Sequence, residues 1–229
     1  MFENLMIFFA KLVEYMPNFG HGLYLTLLLT VLSGVVGFLA SVPLVLAILY
    51  GSKFSKALAG SFVSLIRGTP LLVQLFFIYF GFPAIGIRVT PITAAIIGFV
   101  LNSSAYQAEY LKGGFLAISK EQYEASLSLG MTKWQTVFFV LIPQAFRFAL
   151  PSLSNEIIYL VKYTSVAYII QVPELFAQAK YFASDTFFYV HIFIIIGIVY
   201  LLMVWLISNL MDYLEKHYYI PGFDMSHLK

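Results

Sequence analysis

The stretch ISKEQYEASLSLGMTKWQTVFFVLIPQ, residues 118–144, is a polar island between long apolar runs. Its punctuation is that of short helices in water. Ser119 followed three residues on by Gln122 predicts a capping box, and Thr132 followed by Gln135 predicts a second. Gly130 lies between them, where a left-handed residue closes a helix. The pattern reads as helix, tight turn, helix. Tyr123 and Leu127, spaced by one turn, share a face of the first helix. Pro143 is expected to kink or stop the second. A capped segment on the water side of flanking spans is suited to being gripped by another protein. A bare connector is usually shorter.

Composition places those flanking runs in a membrane. The chain has 229 residues, 61% hydrophobic and 10% charged, with mean hydropathy +0.88. Soluble domains carry about 25% charged residues, so these few charges cannot cover a water-facing surface. Several stretches reach the roughly 20 apolar residues that cross a bilayer as helix. A net charge of +2 argues for no nucleic-acid partner. Without cysteine there is no disulfide framework and no thiolate metal site. His21, His191, His217 and His227 are scattered, and the acids lack metal-ligand spacing. No Ser/His/Asp arrangement can be argued across the spans. No catalytic residue and no metal ligand are assigned.

The reading is an all-α integral membrane protein, one transmembrane domain over 1–229. Five spans are expected, at about 23–50, 58–82, 92–116, 148–170 and 187–211. The apolar run 2–13 is too short to span. It lacks a convincing cleavage site for a signal peptide, and 1–19 is expected as an interfacial helix with Lys11 and Glu14 toward water. Residues 212–229 form a tail. With the C-terminus cytoplasmic, that side holds Lys53, Lys56, Lys112, Lys120, Lys133, Arg147, Lys216 and Lys229, against Lys11, Arg88 and Lys180 outside. The positive-inside rule selects this orientation, N-terminus outside, and puts the island in the cytoplasm.

Polar residues within the spans mark a candidate pathway, because they usually face a cavity or a partner. Ser152, Glu156, Tyr159 and Tyr163 recur on one face of the fourth span, flanked by Asn155 and Lys162. In the third, Ser103, Gln107 and Tyr110 share a face beside Asn102. The second carries Arg67 and Gln74, with Gly68 and Pro70 able to free a carbonyl toward a cavity. Asn102, Ser103 and Gln107 have a second reading as hydrogen bonds between helices. Arg67 and Lys162 have one as interfacial anchors, and Glu109 as the partner of a basic residue. Glu156 is open to neutralisation by a proton, by Lys162 or Arg67, or by a cationic substrate.

Glu124-Ala125-Ser126, Gly130, Val140 and Ile142-Pro143 resemble the EAA signature of the permeases of ATP-binding-cassette (ABC) importers. Arg67-Gly68-Thr69-Pro70-Leu71-Leu72-Val73-Gln74 and Ala105-Tyr106-Gln107-Ala108-Glu109-Tyr110, with Gly113-Gly114, resemble the polar amino-acid branch. So do Asn155-Glu156, Lys162-Tyr163-Thr164-Ser165 and Val172-Pro173-Glu174-Leu175. The resemblance covers roughly 20–213. Ser126 departs from the usual alanine, and Tyr163 stands where the family often has aspartate. The resemblance implies the type I importer permease fold, a bacterial cytoplasmic (inner) membrane and an ABC amino-acid transport function. The island would be the coupling helix, with Tyr123, Glu124, Ala125, Ser126, Leu127 and Gly130 meeting a cytoplasmic ATPase. Implied partners are an ATPase dimer carrying ATP and magnesium, a second permease chain, and an extracytoplasmic solute-binding protein. The second chain is an identical copy or a close relative.

The sequence contains no Gly-rich run ending in Gly-Lys-Ser/Thr, so the chain is not read as an enzyme and its energy is expected in trans. A stand-alone channel would need a filter, and a carrier often shows inverted repeats that five unequal spans do not supply. Glu156 points to a basic amino acid (arginine, lysine or histidine); glutamine or another polar amino acid is the alternative.

Overall fold

The computed structural model describes residues 2–218, almost entirely helical and without strands among those residues. The expected tail divides: 212–217 complete the last helix, and 219–229 lie outside the described residues.

The first helix, α1, runs unbroken from Phe2 to Tyr50, 49 residues with Pro17 and Pro43 inside. The boundary expected near residue 19 is therefore no break in the helix. Phe8, Phe19, Leu175, Phe182 and Ile192 share one buried cluster. The N-terminal end of α1 thus docks on its own chain instead of forming a separate element.

The second span is also not one straight helix. α2 (Lys53–Arg67) and α3 (Leu71–Phe76, continued by a π turn Phe77–Gly81 and a 3-10 turn Phe82–Ile85) meet at 103°. Pro70 has no N–H with which to continue the ladder. The carbonyls freed at the break are collected by side chains. Gln74 Nε2 donates to Ile66 O at 2.7 Å and Thr69 O at 3.1 Å, and Thr69 Oγ1 donates to Leu65 O at 2.9 Å.

α4 (Pro91–Leu116) begins on Thr90, whose hydroxyl accepts from Thr93 N, with Pro91 in the first turn. It matches the third expected span and is less apolar on average than α1 and the last helix. The reason is position: it packs on α1, α2, α3 and α7, and Asn102, Ser103, Ser104 and Gln107 are buried. Small residues allow that centrality. A Cβ on Gly34 or Gly37 of α1 would lie 2.6 Å from Ile157 and 2.9 Å from Ser103.

α5 (Lys120–Ser128) and α6 (Lys133–Gln135) form the island. α6 does not stop at Pro143. It continues through a π turn, Thr136–Leu141, into α7 (Ile142–Tyr163) and a 3-10 segment, Thr164–Ile170. The helical stretch Lys133–Ile170 is 38 residues long. The π turn supplies the accommodation: Ile142 N donates to Val137 O, five residues back, just before the proline that cannot donate. α8 (Leu175–Thr186) starts on buried Glu174, whose carboxylate accepts from Phe176 N and Ala177 N. α9 (Tyr189–His217) is the last span.

Candidate functional site

Two places carry the polar groups singled out above: the island and the middle of α7. In the island Thr132 and Gln135 form the expected reciprocal capping box. Gly130 sits at φ +84°; its N–H donates to Leu127 O and that of Met131 to Ser126 O. Those two bonds are a Schellman closure. Ser119 does not cap the α5 backbone. Glu121 carries the cap instead: its own backbone N–H, then the Ser119 hydroxyl, hold its carboxyl below the usual range. An acid in the first helical turn was the available signal.

The faces of α5 divide differently from expectation. Tyr123 is half-buried and packs on a cluster containing Leu111, Phe115 and Val137. Ser126 is buried, its hydroxyl donating to Gln122 O at 2.8 Å. Glu124, Ala125 and Leu127 are exposed. Leu129, absent from the expected set, is 84% exposed; its place just before the closing glycine was the signal for it. Trp134 joins the island to the end of α1, its ring 6.4 Å from that of Tyr50.

On α7, Ser152, Asn155, Tyr159, Lys162 and Tyr163 are exposed. The Tyr159 and Tyr163 rings stack at 5.9 Å, and the Lys162 ammonium lies 4.5 Å above the Tyr159 ring. Glu156, expected on this stripe, is 4% exposed. It turns toward α4, where its carboxylate accepts from the Ser103 hydroxyl. Ser103 Oγ in turn accepts from Gln107 Nε2 at 2.7 Å, which also donates to Gly34 O at 3.1 Å. Asn102 donates to Gln74 Oε1 at 3.2 Å. Asn102, Ser103, Gln107 and Gln74 are thus engaged between helices.

Neither Lys162 nor Arg67 pairs with Glu156. Among the described residues no basic nitrogen lies within 4 Å of its carboxylate. Arg67 instead meets Glu109 at 3.4 Å, and Lys112 meets the same carboxylate at 3.0 Å. The Arg67 guanidinium also lies 5.3 Å from the Tyr106 ring centroid. Glu109 therefore anchors the α2 side of the break in the second span to α4.

Residues 33–218 match the family described as binding-protein-dependent transport system inner membrane component. The chain is 38% identical over 213 residues to the probable amino-acid ABC transporter permease protein YckA of Bacillus subtilis, covering 93% of this chain and 94% of that protein. It is 41% identical over 167 residues to the L-cystine transport system permease protein TcyB of Bacillus subtilis, 73% of this chain and 71% of that one. A crystal structure of an amino acid ABC transporter with histidines superposes with a TM-score of 0.84 at 38% identity, over 91% of this chain and 98% of that chain. The chain belongs to the family of inner membrane components of binding-protein-dependent transport systems and has the permease fold of the type I ABC importers.

Proposed function

We propose that this chain is the membrane-spanning subunit of an ATP-driven amino-acid importer in a bacterial cytoplasmic membrane, gripped at α5 by a separate ATPase. The N-terminus lies outside and the island inside. The observation that carries this reading is mechanical. The turn that presents Leu127 and Leu129 is followed at once by one 38-residue helical stretch that also bears the exposed polar stripe. Helices transmit displacement, so a push on the island reaches Ser152, Asn155 and Tyr159 through α6 and α7. ATP, with magnesium, binds the partner subunits. Its hydrolysis biases inward-open against outward-open states through differential contacts.

An exposed Lys162 and Asn155 in a span are costly against lipid. A second permease chain, identical or closely related, facing the stripe across a water-filled path removes that cost. A solute-binding protein delivers substrate at the opposite end from the island.

The coupling reading has a direct test. Leu127→Asp combined with Leu129→Asp places two charges on the exposed tip. A charge desolvated at an interface without a partner is strongly unfavourable. ATPase retained on the purified permease is expected to fall by about tenfold, equivalent to ~1.4 kcal/mol, with permease abundance unchanged. Undiminished retention overturns the docking assignment.

The stripe supports an amino acid with a neutral polar side chain such as glutamine. Ser152, Asn155 and the Tyr159 and Tyr163 hydroxyls offer hydrogen bonds, and the Lys162 ammonium offers a partner for an α-carboxylate. A basic amino acid is the second reading, favoured by one observation: the buried Glu156 carboxylate has no basic nitrogen within 4 Å among the described residues. Attraction of unit charges at ~4 Å is about 4 kcal/mol at an effective dielectric near 20. A quarter of that is about fivefold in affinity. Under the basic reading, Glu156→Gln lowers labelled arginine uptake by at least about that factor and spares glutamine. Equal effects on both solutes, or none, leave the neutral reading standing.

A further inference from the structure

A cavity of about 330 Å³ lies between α1 and α9, lined by Leu12, Met16, Gly20 and Leu23 on one side and Ile192 and Ile196 on the other, among others. Both walls belong to membrane-crossing segments. The flanks beside it, Val13 on α1 and Ile194 and Ile198 on α9, are exposed apolar surface. The crevice is thus continuous with the face that meets hydrocarbon.

Pro17, next to Met16 of the lining, leaves the Val13 carbonyl without its helical N–H partner. Gly20 supplies a notch. Its neighbour Gly22 is small for packing, since a Cβ there would lie 2.8 Å from Gln178 Cγ. A Cβ on Gly20 meets nothing within 4 Å. No neighbour in the chain needs Gly20 to be small, so its effect is space.

Water is a poor occupant. The lining residues carry no polar side chain, and each buried water needs 2–4 polar partners while taking ~30 Å³. No side chain in the lining carries a charge, and the Lys11 ammonium beside Leu12 is already paired with Glu14, so a fatty-acid carboxylate finds no free cation there. Lys11 and Glu14, an exposed ion pair at 2.9 Å beside Leu12, mark the level where a headgroup would stay. We propose that the crevice between α1 and α9 holds one acyl chain of a diacyl phospholipid, as a resident lipid wedging the two helices.

The test uses the complete importer stripped of lipid in detergent. It is titrated with dioleoyl phosphatidylglycerol and, separately, with oleate, following thermal melting. The expected result is a saturable rise with the phospholipid and none with oleate. Native mass spectrometry during stripping then shows one slowly lost phospholipid per permease chain, absent in Gly20→Leu, which fills the notch. An equal rise with oleate overturns the phospholipid assignment. No rise in wild type, or the same retained lipid in a folded Gly20→Leu, overturns the site. The wild-type titration decides the matter even where the leucine variant fails to accumulate.

Discussion

Gly130→Val is expected to lower coupled transport by about tenfold or more while leaving the permease in the membrane. Gly130 holds φ +84° and a Cβ there would touch nothing within 4 Å. The penalty is therefore one of backbone conformation, ~1–2 kcal/mol for an ordinary L residue and more for a β-branched one. Relief comes only by rotating the turn out of the left-handed region. That rotation breaks the bonds from Gly130 N to Leu127 O and from Met131 N to Ser126 O. It swings Leu129 and the end of α5 away from the geometry set by the Thr132–Gln135 cap. Substrate-stimulated ATP hydrolysis and uptake are expected to fall together, by tenfold or more (~1.4 kcal/mol). Gly130→Asn, which tolerates the left-handed region, is expected to keep most of the activity. Wild-type stimulated hydrolysis in a well-inserted Gly130→Val importer removes the turn from the coupling path.

Gly114→Ala is expected to be the most destabilising glycine-to-alanine substitution on α4. A Cβ at Gly114 would lie 2.2 Å from the Ala145 carbonyl oxygen and 3.2 Å from Ala149 Cβ. The obstruction is backbone of α7, which cannot rotate aside, so α4 and α7 must separate near the island end. Overpacking of this kind costs ~1–3 kcal/mol, and a contact this short sets the upper end. The adjacent glycine is an internal control. Gly113 is exposed and a Cβ there meets nothing within 4 Å; alanine is preferred to glycine in a helix by up to ~1 kcal/mol. Thermal melting of the purified permease should therefore drop sharply for Gly114→Ala and hold or rise for Gly113→Ala. Equal effects at the two positions disprove the close approach of α4 to α7.

Most signals that act over a few residues were legible in the sequence, the Ser119–Gln122 box being an exception, and those that require a neighbour were not. The Thr132–Gln135 cap and the left-handed Gly130 are local backbone chemistry, complete within a turn. The membrane character follows from composition, because too few charges exist to face water. The apolar runs near 92–116 and 187–211 correspond to helices Pro91–Leu116 and Tyr189–His217. Pro143 shows where local reading ends: a proline predicts a missing bond, and the π turn before it absorbs that loss without stopping the helix.

Glu156 shows the larger limit. It lies on the edge of the α7 stripe, and periodicity assigned it to the open face with Ser152 and Tyr159. A small rotation of the helix exchanges Glu156 for Asn155. That rotation is decided by how closely α1, α4 and α7 approach at Gly34, Gly37 and Gly114. The same holds for Gln74, whose amide closes the break after Gly68, and for Asn102, which bonds it from α4. The sequence by itself determined a helical membrane protein with a capped island and which residue types were available for polar work. Only the tertiary structure decided which of them face one another and which face the open stripe. Helix periodicity orients a side chain to within a sector, whereas hydrogen bonding between helices depends on crossing angle and separation.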